Sequence, residues 1–112
     1  MNDLKWSRVL ALAALAAFAA PLVQAQAWPA KPVNIVVPFP PGGGTDAFAR
    51  PLFALMSKNA GRQFIIDNKG GAGGTLGAGI AAKAAPDGYT FFMGAVHHAI
   101  APSMYPRLDY SI

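Results

Sequence analysis

Twice between Val33 and Ala82 the sequence sets down the same order: a short apolar run, a cluster of glycines, then a stretch of helical character. "VNIVV" (Val33–Val37) is largely β-branched and apolar, the composition of a strand covered on both faces. "PFPPGGG" follows at once, and Thr45 or Asp46 then stands where a cap can open a helix running to about Ala60. The second round is "QFIIDN" (Gln63–Asn68), "KGGAGGT" and the small-residue stretch "LGAGIAAKAA". A third apolar run, "TFFMG" (Thr90–Gly94), comes after "APDGYT", whose Pro86, Asp87 and Gly88 favour a tight turn. The two rounds differ too much to be a repeat. Strand, helix, strand, helix, strand at this spacing predicts an α/β fold: a parallel sheet with flanking helices and right-handed crossovers. Both glycine loops then leave the same sheet edge, where open α/β sheets form their ligand crevice.

Within the first helix Phe48, Leu52, Leu55 and Met56 recur at helical offsets and make the expected core-facing stripe. Pro51 lies inside that helix and predicts a kink or a loose first turn, and Gly61 is a natural stop. After His98, "AIAPSMYPRLDYSI" has two prolines and no clear period, so no regular element is expected there.

The first 27 residues have a different logic. Lys5 and Arg8 precede an unbroken apolar run, Val9–Ala20, and "PLVQAQA" offers Val23/Ala25 and Ala25/Ala27 as small-residue pairs. That is the pattern of a secretory signal peptide, cleaved after Ala25 or Ala27. A membrane-spanning helix would need about 20 apolar residues. The expected product is exported and periplasmic, with residues 28–112 as its folded part.

Without Lys5, Arg8 and Asp3 the chain keeps seven basic and four acidic residues, a net charge of +3. There is no Glu and no run of like charge, so no nucleic-acid partner is expected. The absence of cysteine excludes disulfides, thiol catalysis and thiolate metal sites. Ser57, Ser103 and Ser111 lack a G-x-S-x-G setting and no paired carboxylates stand out, so the chain does not read as an enzyme and calls for no cofactor. His97 and His98 could suggest a metal, but adjacent side chains at a strand end diverge, and there is no other His or Cys.

Glycines let a backbone approach a ligand, and free N–H groups at a helix start carry partial positive charge. Each loop therefore suits a carboxylate or a phosphate, or simply a tight turn. One functional reading is a dinucleotide site: Gly42, Gly44 and Ala47 fit G-x-G-x-x-A, and Asp67 ends the next strand where a ribose-binding acid would stand. Against it, "PFPP" separates strand from glycines, no G-K-[ST] is present, and an exported protein has little access to nicotinamide cofactors.

The other reading is a carboxylate receptor. "KPVNIVVPFPPGGGTDAFAR", "DNKGGAGGTLGA", "AAKAAPDGYTF" and "HAIAPSMYPRL" resemble, in that order, the N-terminal lobe of the tripartite tricarboxylate transporter receptor family, the TctC-like or Bug receptors. The resemblance covers nearly all of Trp28–Tyr110. It implies an extracytoplasmic, two-lobed α/β solute-binding protein that clamps a mono-, di- or tricarboxylate and hands it to membrane transporter subunits. This chain would hold part of the first lobe. Carried over, it assigns Phe39–Asp46 to one cleft wall: Phe39 and Pro40 shape the pocket, and the backbone of Gly42, Gly43, Gly44 and Thr45 binds a carboxylate. Asp46 either caps the helix or orders the loop. The facing wall would be Gly70–Thr75, with main-chain donors at Ala72, Gly73 and Gly74 and the Thr75 hydroxyl. His98 falls in the family's H-A-I-N-P-like stretch, where Ala101 replaces the commoner Asn. Lys69 stands where Arg is common, keeping the charge but not the bidentate fork. Such receptors continue well past "LDYSI", so the chain is expected to be a fragment with an exposed sheet edge, or else an independent small protein or a non-functional truncated copy.

Overall fold

The computed structural model describes residues 27–111. The expected leader therefore lies, up to its last residue, outside the described residues. In chain order come β1 (Val33–Val37), α1 (Gly44–Ala60), β2 (Phe64–Asn68), a turn of 3-10 type at Ala72–Gly74, α2 (Thr75–Ala82), β3 (Thr90–Phe92) and α3 (Val96–Met104). The strands form one parallel sheet in the order β2-β1-β3. Val33 pairs with Phe64 and Val37 with Asn68 on one side, and Ile35 pairs with Phe91 on the other. The parallel α/β expectation holds.

β1 is central because its composition demands it. Val33, Ile35, Val36 and Val37 are buried, each at 1% exposure or less. Burial of each such side chain contributes about 1.5–3 kcal/mol. α1 lies against β1 and β2, whereas α2 lies across β1 and β3. The chain steps out to β2 and then back over β1, and right-handed crossovers in opposite directions put the two helices on opposite faces.

α1 ends where expected, at Gly61 in the left-handed region (φ 63). The helix is continuous through Pro51. Its inward face, however, is not the predicted one. Asp46 and Ala49 are buried and Phe53 packs on the core, while Phe48 and Leu55 are more than half exposed. The helix approaches the sheet through a small residue, Ala49, and is pinned by polar groups at both ends. At the far end the Ser57 hydroxyl donates to Phe53 O (2.7 Å) and accepts from Phe64 N–H (2.9 Å). Bulky residues two positions round the helix are left outward. Leu52 and Met56 join Trp28, Phe53, Phe64, Phe91 and Met93 around an apolar groove of about 290 Å³.

β3 is two residues shorter than predicted. Met93 N–H still donates to Val36 O (2.9 Å), but the chain then turns into α3. The turn before β3 is as expected: Asp87 accepts from Tyr89 N–H (3.0 Å), and Gly88 takes φ 77. Trp28 locks it, donating from Nε1 to Gly88 O (3.1 Å) and packing on Phe64 and Phe91. The outer edge of β3 has no strand partner among the described residues.

α3 was not foreseen. It starts at Val96 and runs through Pro102 to Met104. No Ser, Thr, Asp or Asn caps it. Instead His98, at the third helical position, accepts through Nδ1 from Ala95 N–H (3.1 Å), the backward reach that Glu or Gln makes in a capping box.

Candidate functional site

Because all three strands are parallel, the segments after β1, β2 and β3 meet at one sheet edge. The first is Pro38–Gly43. α1 begins at Gly44, and the first N–H turned into a helical bond there is Ala47, donating to Gly43 O (2.8 Å). The N–H groups of Gly44, Thr45 and Asp46 have no intrahelical acceptor, and the dipole of a 17-residue helix stands behind them.

Asp46 is not the N-cap: that position is Gly43, which has no side chain to offer. The buried Asp46 carboxylate instead reaches back one turn and accepts the Gly42 N–H (2.8 Å). Arg50, one turn later, donates to it twice, Nε to Oδ2 (2.7 Å) and Nη2 to Oδ1 (3.0 Å). Asn68, at the end of β2, donates to Oδ1 (2.9 Å) and to Phe39 O (2.9 Å). These bonds, Arg50's first, then Gly42's and Asn68's, lower the Asp46 pKa to about 2. So Asp46 orders the loop. It also withdraws the Gly42 N–H from any ligand, which leaves Gly44 and Thr45 as the exposed unpaired donors.

The second segment abuts the first. A Cβ added at Gly70 would lie 3.3 Å from Pro40 Cδ, and Lys69 N–H donates to Val37 O (2.8 Å). Ala72 (φ 48), Gly73 (φ 65) and Gly74 (φ 88) take successive left-handed conformations, which coil the loop tightly over the start of α2. Some of its predicted donors point inward: Gly74 N–H goes to Gly71 O (2.9 Å), and the Thr75 N–H and hydroxyl go to Ala72 O. Gly77 lets α2 approach the sheet edge, since a Cβ there would meet Lys69 O at 2.7 Å and Pro38 Cβ at 2.8 Å.

The third segment is the start of α3. The His97 and His98 rings do not diverge; their centroids are 3.9 Å apart, because both residues sit on the first helical turn rather than at a strand end. His98 is held at both ring nitrogens: Nδ1 faces Ala95 N–H (3.1 Å), and Nε2 lies 3.2 Å from Gly74 O. Phe39 stands edge-on to both rings, at 5.0 and 5.9 Å. Tyr105 closes over Gly73, its hydroxyl 2.7 Å from where a Cβ would be. Ala101, the departure from the family's Asn, is buried.

The structure thus brings every predicted site residue to one edge: Phe39, Pro40 and Gly42–Asp46 on one loop, Ala72–Thr75 on the next, and His98 joining them. It adds Arg50, Asn68, His97 and Tyr105. The Asp46–Arg50 spacing of four was a visible signal for one of these. Asn68 and Tyr105 had none, and His97 was visible only as half of a discounted pair. Among the described residues no group of three or more His, Cys, Asp or Glu could hold a metal. Asp67, the ribose-binding acid of the dinucleotide reading, is paired with Lys69 at 3.1 Å.

A family model described as the tripartite tricarboxylate transporter family receptor, TctC, matches residues 48–112, more than half of the chain. The chain belongs to this family. The dinucleotide reading is thereby set aside. BugT of Bordetella pertussis is 40% identical over 101 residues, covering 88% of this chain and 31% of BugT. Among solved structures, Rhodopseudomonas palustris Rpa4515 with adipate is 37% identical, with a TM-score of 0.65 over 75% of this chain and 28% of that one. MatC from the same species, with bound malate, is 49% identical, with a TM-score of 0.55 over 58% and 22%. The chain spans 24–32% of the length of the curated relatives it matches.

Proposed function

We propose that residues 28–112 form one wall of the ligand cleft of a periplasmic solute receptor. The receptor would bind a small organic carboxylate and deliver it to the membrane subunits of a tripartite tricarboxylate-type transporter. The observation that carries this reading is the crevice itself: the unpaired N–H groups of Gly44 and Thr45 at the start of α1, beside a coiled glycine loop. It occurs in a chain similar to receptors solved with adipate and malate. Hydrogen bonds from such donors to a carboxylate contribute roughly 1.5–3 kcal/mol each once water is excluded. This chain supplies one open wall, so by itself it binds weakly, and closure by a second lobe provides the exclusion. The N-terminal leader directs export and is cleaved after Ala25 or Ala27; N-terminal sequencing of the product from its native host finds Gln26 or Trp28 first, and a retained Met1 would refute export.

The test is calorimetry on a full-length relative, such as the adipate-bound receptor, in which residues 28–112 replace the matching segment. A carboxylate binds with a dissociation constant of about 1 μM or lower, about −8 kcal/mol. Gly43→Val and Gly44→Val abolish binding without unfolding the receptor. Neither position has a left-handed backbone, and an added Cβ meets nothing closer than 3.4 Å. Unchanged carboxylate binding in both variants, or binding of nicotinamide dinucleotides instead, would overturn the reading.

A further inference from the structure

Among the described residues, His97 is the crevice side chain with a buried polar atom left over. Its Nε2 is buried and has no hydrogen-bond partner. The atom lies against bare backbone, 2.8 Å from where a Cβ of Gly74 would be. An unpaired buried nitrogen is unfavourable unless something in the working state satisfies it.

The groups that face the ring are few. From the β1 loop comes the Phe39 edge, from the second loop Gly73 and Gly74, and from its own helix His98. The titratable groups among these elements are His98 on the same helix and the Tyr105 phenol over Gly73. His98 cannot share a proton with it, because both its nitrogens are engaged with Ala95 and Gly74. None of these groups is a carboxylate, so the crevice offers His97 no counter-charge of its own. Burial, and after it the neighbouring His98, hold its pKa below the ordinary histidine range, with the Gly73 backbone opposing in part. The imidazole is neutral near pH 7, and in its Nδ1-protonated tautomer Nε2 carries a lone pair.

Resting on the receptor reading above, we infer that His97 is a ligand-binding residue that takes up a proton when a carboxylate enters and holds it as an imidazolium. The proton comes from solvent to Nε2, and no other bond changes. A simple carboxylic acid is already ionised near pH 7, so the uptake belongs to the protein. By linkage the ligand binds the protonated crevice more tightly. Affinity therefore rises as pH falls through the interval between the pKa of the liganded imidazole and that of the free one, by up to about tenfold per pH unit.

The experiment uses the same full-length receptor carrying residues 28–112, with adipate and malate as probes. Calorimetry near pH 7 in phosphate and in Tris, buffers of unlike ionisation enthalpy, gives the protons taken up per ligand. The expected value approaches one, and His97→Gln reduces it to near zero and flattens the pH dependence while retaining binding at about pH 8.5. A merely structural role for His97 would lower affinity equally at every pH and overturn the inference. So would carboxylate binding with no proton uptake in the unmutated protein, which leaves the receptor reading standing. Absence of any carboxylate binding overturns both.

Discussion

Gly77 and Gly79 occupy the same helix, two residues apart, yet Ala at the two sites should have opposite effects. In a helix interior Ala is favoured over Gly by about 0.5–1 kcal/mol. At Gly79 the three atoms nearest the new methyl all belong to the Asp109 carboxyl group, with Oδ1 at 2.8 Å. That side chain is 62% exposed and can swing away, loosening its ion pair with Lys83. An exposed pair of this kind is worth about 0–1 kcal/mol, so Gly79→Ala is neutral to slightly stabilising. At Gly77 the methyl meets Lys69 O at 2.7 Å, Pro38 Cβ at 2.8 Å and Pro38 Cα at 2.9 Å, atoms fixed by the ends of β1 and β2. Relief needs a helix shift of about 0.5 Å or more, and overpacking of this sort costs about 1–3 kcal/mol. The two variants should therefore differ by about 1–3 kcal/mol, with Gly77→Ala the less stable. Urea denaturation followed by Trp28 fluorescence measures it, since Trp28 packs on β2 and β3 through Phe64 and Phe91. The displacement also moves the second loop, so Gly77→Ala should weaken carboxylate binding in the full-length receptor and Gly79→Ala should not. Equal stabilities within about 0.5 kcal/mol, or a Gly77→Ala variant more stable than its parent, would refute the close-packing argument.

Two further predictions concern α1. Asp46 has a folded pKa lowered from 3.8 to about 2, by its hydrogen bond with Arg50 first, so the unfolded chain takes up its proton earlier as pH falls. The stability it provides is complete above the unfolded value and lost as pH falls through about 2. Asp46→Asn should therefore lose acid dependence between about pH 4 and 2 in a denaturation series, and an unchanged acid slope would refute its role. Ser57→Ala leaves the Phe64 N–H without its acceptor and should lower stability by about 1–3 kcal/mol in urea titration, with a loss under about 0.3 kcal/mol counting against it.

The backbone plan was legible because it rests on composition. A run such as Val33–Val37 can only be a covered strand, and the left-handed positions at Gly61 and Gly88 lie where the sequence puts glycine. The shared edge of the two loops followed from parallel topology alone. Side-chain geometry was less legible. Counting large apolar residues chose the wrong face of α1, because the helix is oriented by a buried carboxylate paired with Arg50 and by a serine rather than by bulk. α3 was invisible since its cap is a histidine at the third position and Pro102 interrupts it. That same helix brings His97 and His98 together, which an extended chain would have kept apart.

The Asp46–Arg50 pair has a consequence for how an anion would be met at the first wall. The carboxylate and guanidinium cancel, so the loop presents oriented N–H dipoles with no formal charge. Long-range steering by charge acts over roughly 8 Å at physiological ionic strength and is weak for such a surface. Capture there would depend on shape and donor direction, and added salt would change the association rate little. Selection among anions would then follow the spacing of their oxygens rather than the number of their charges.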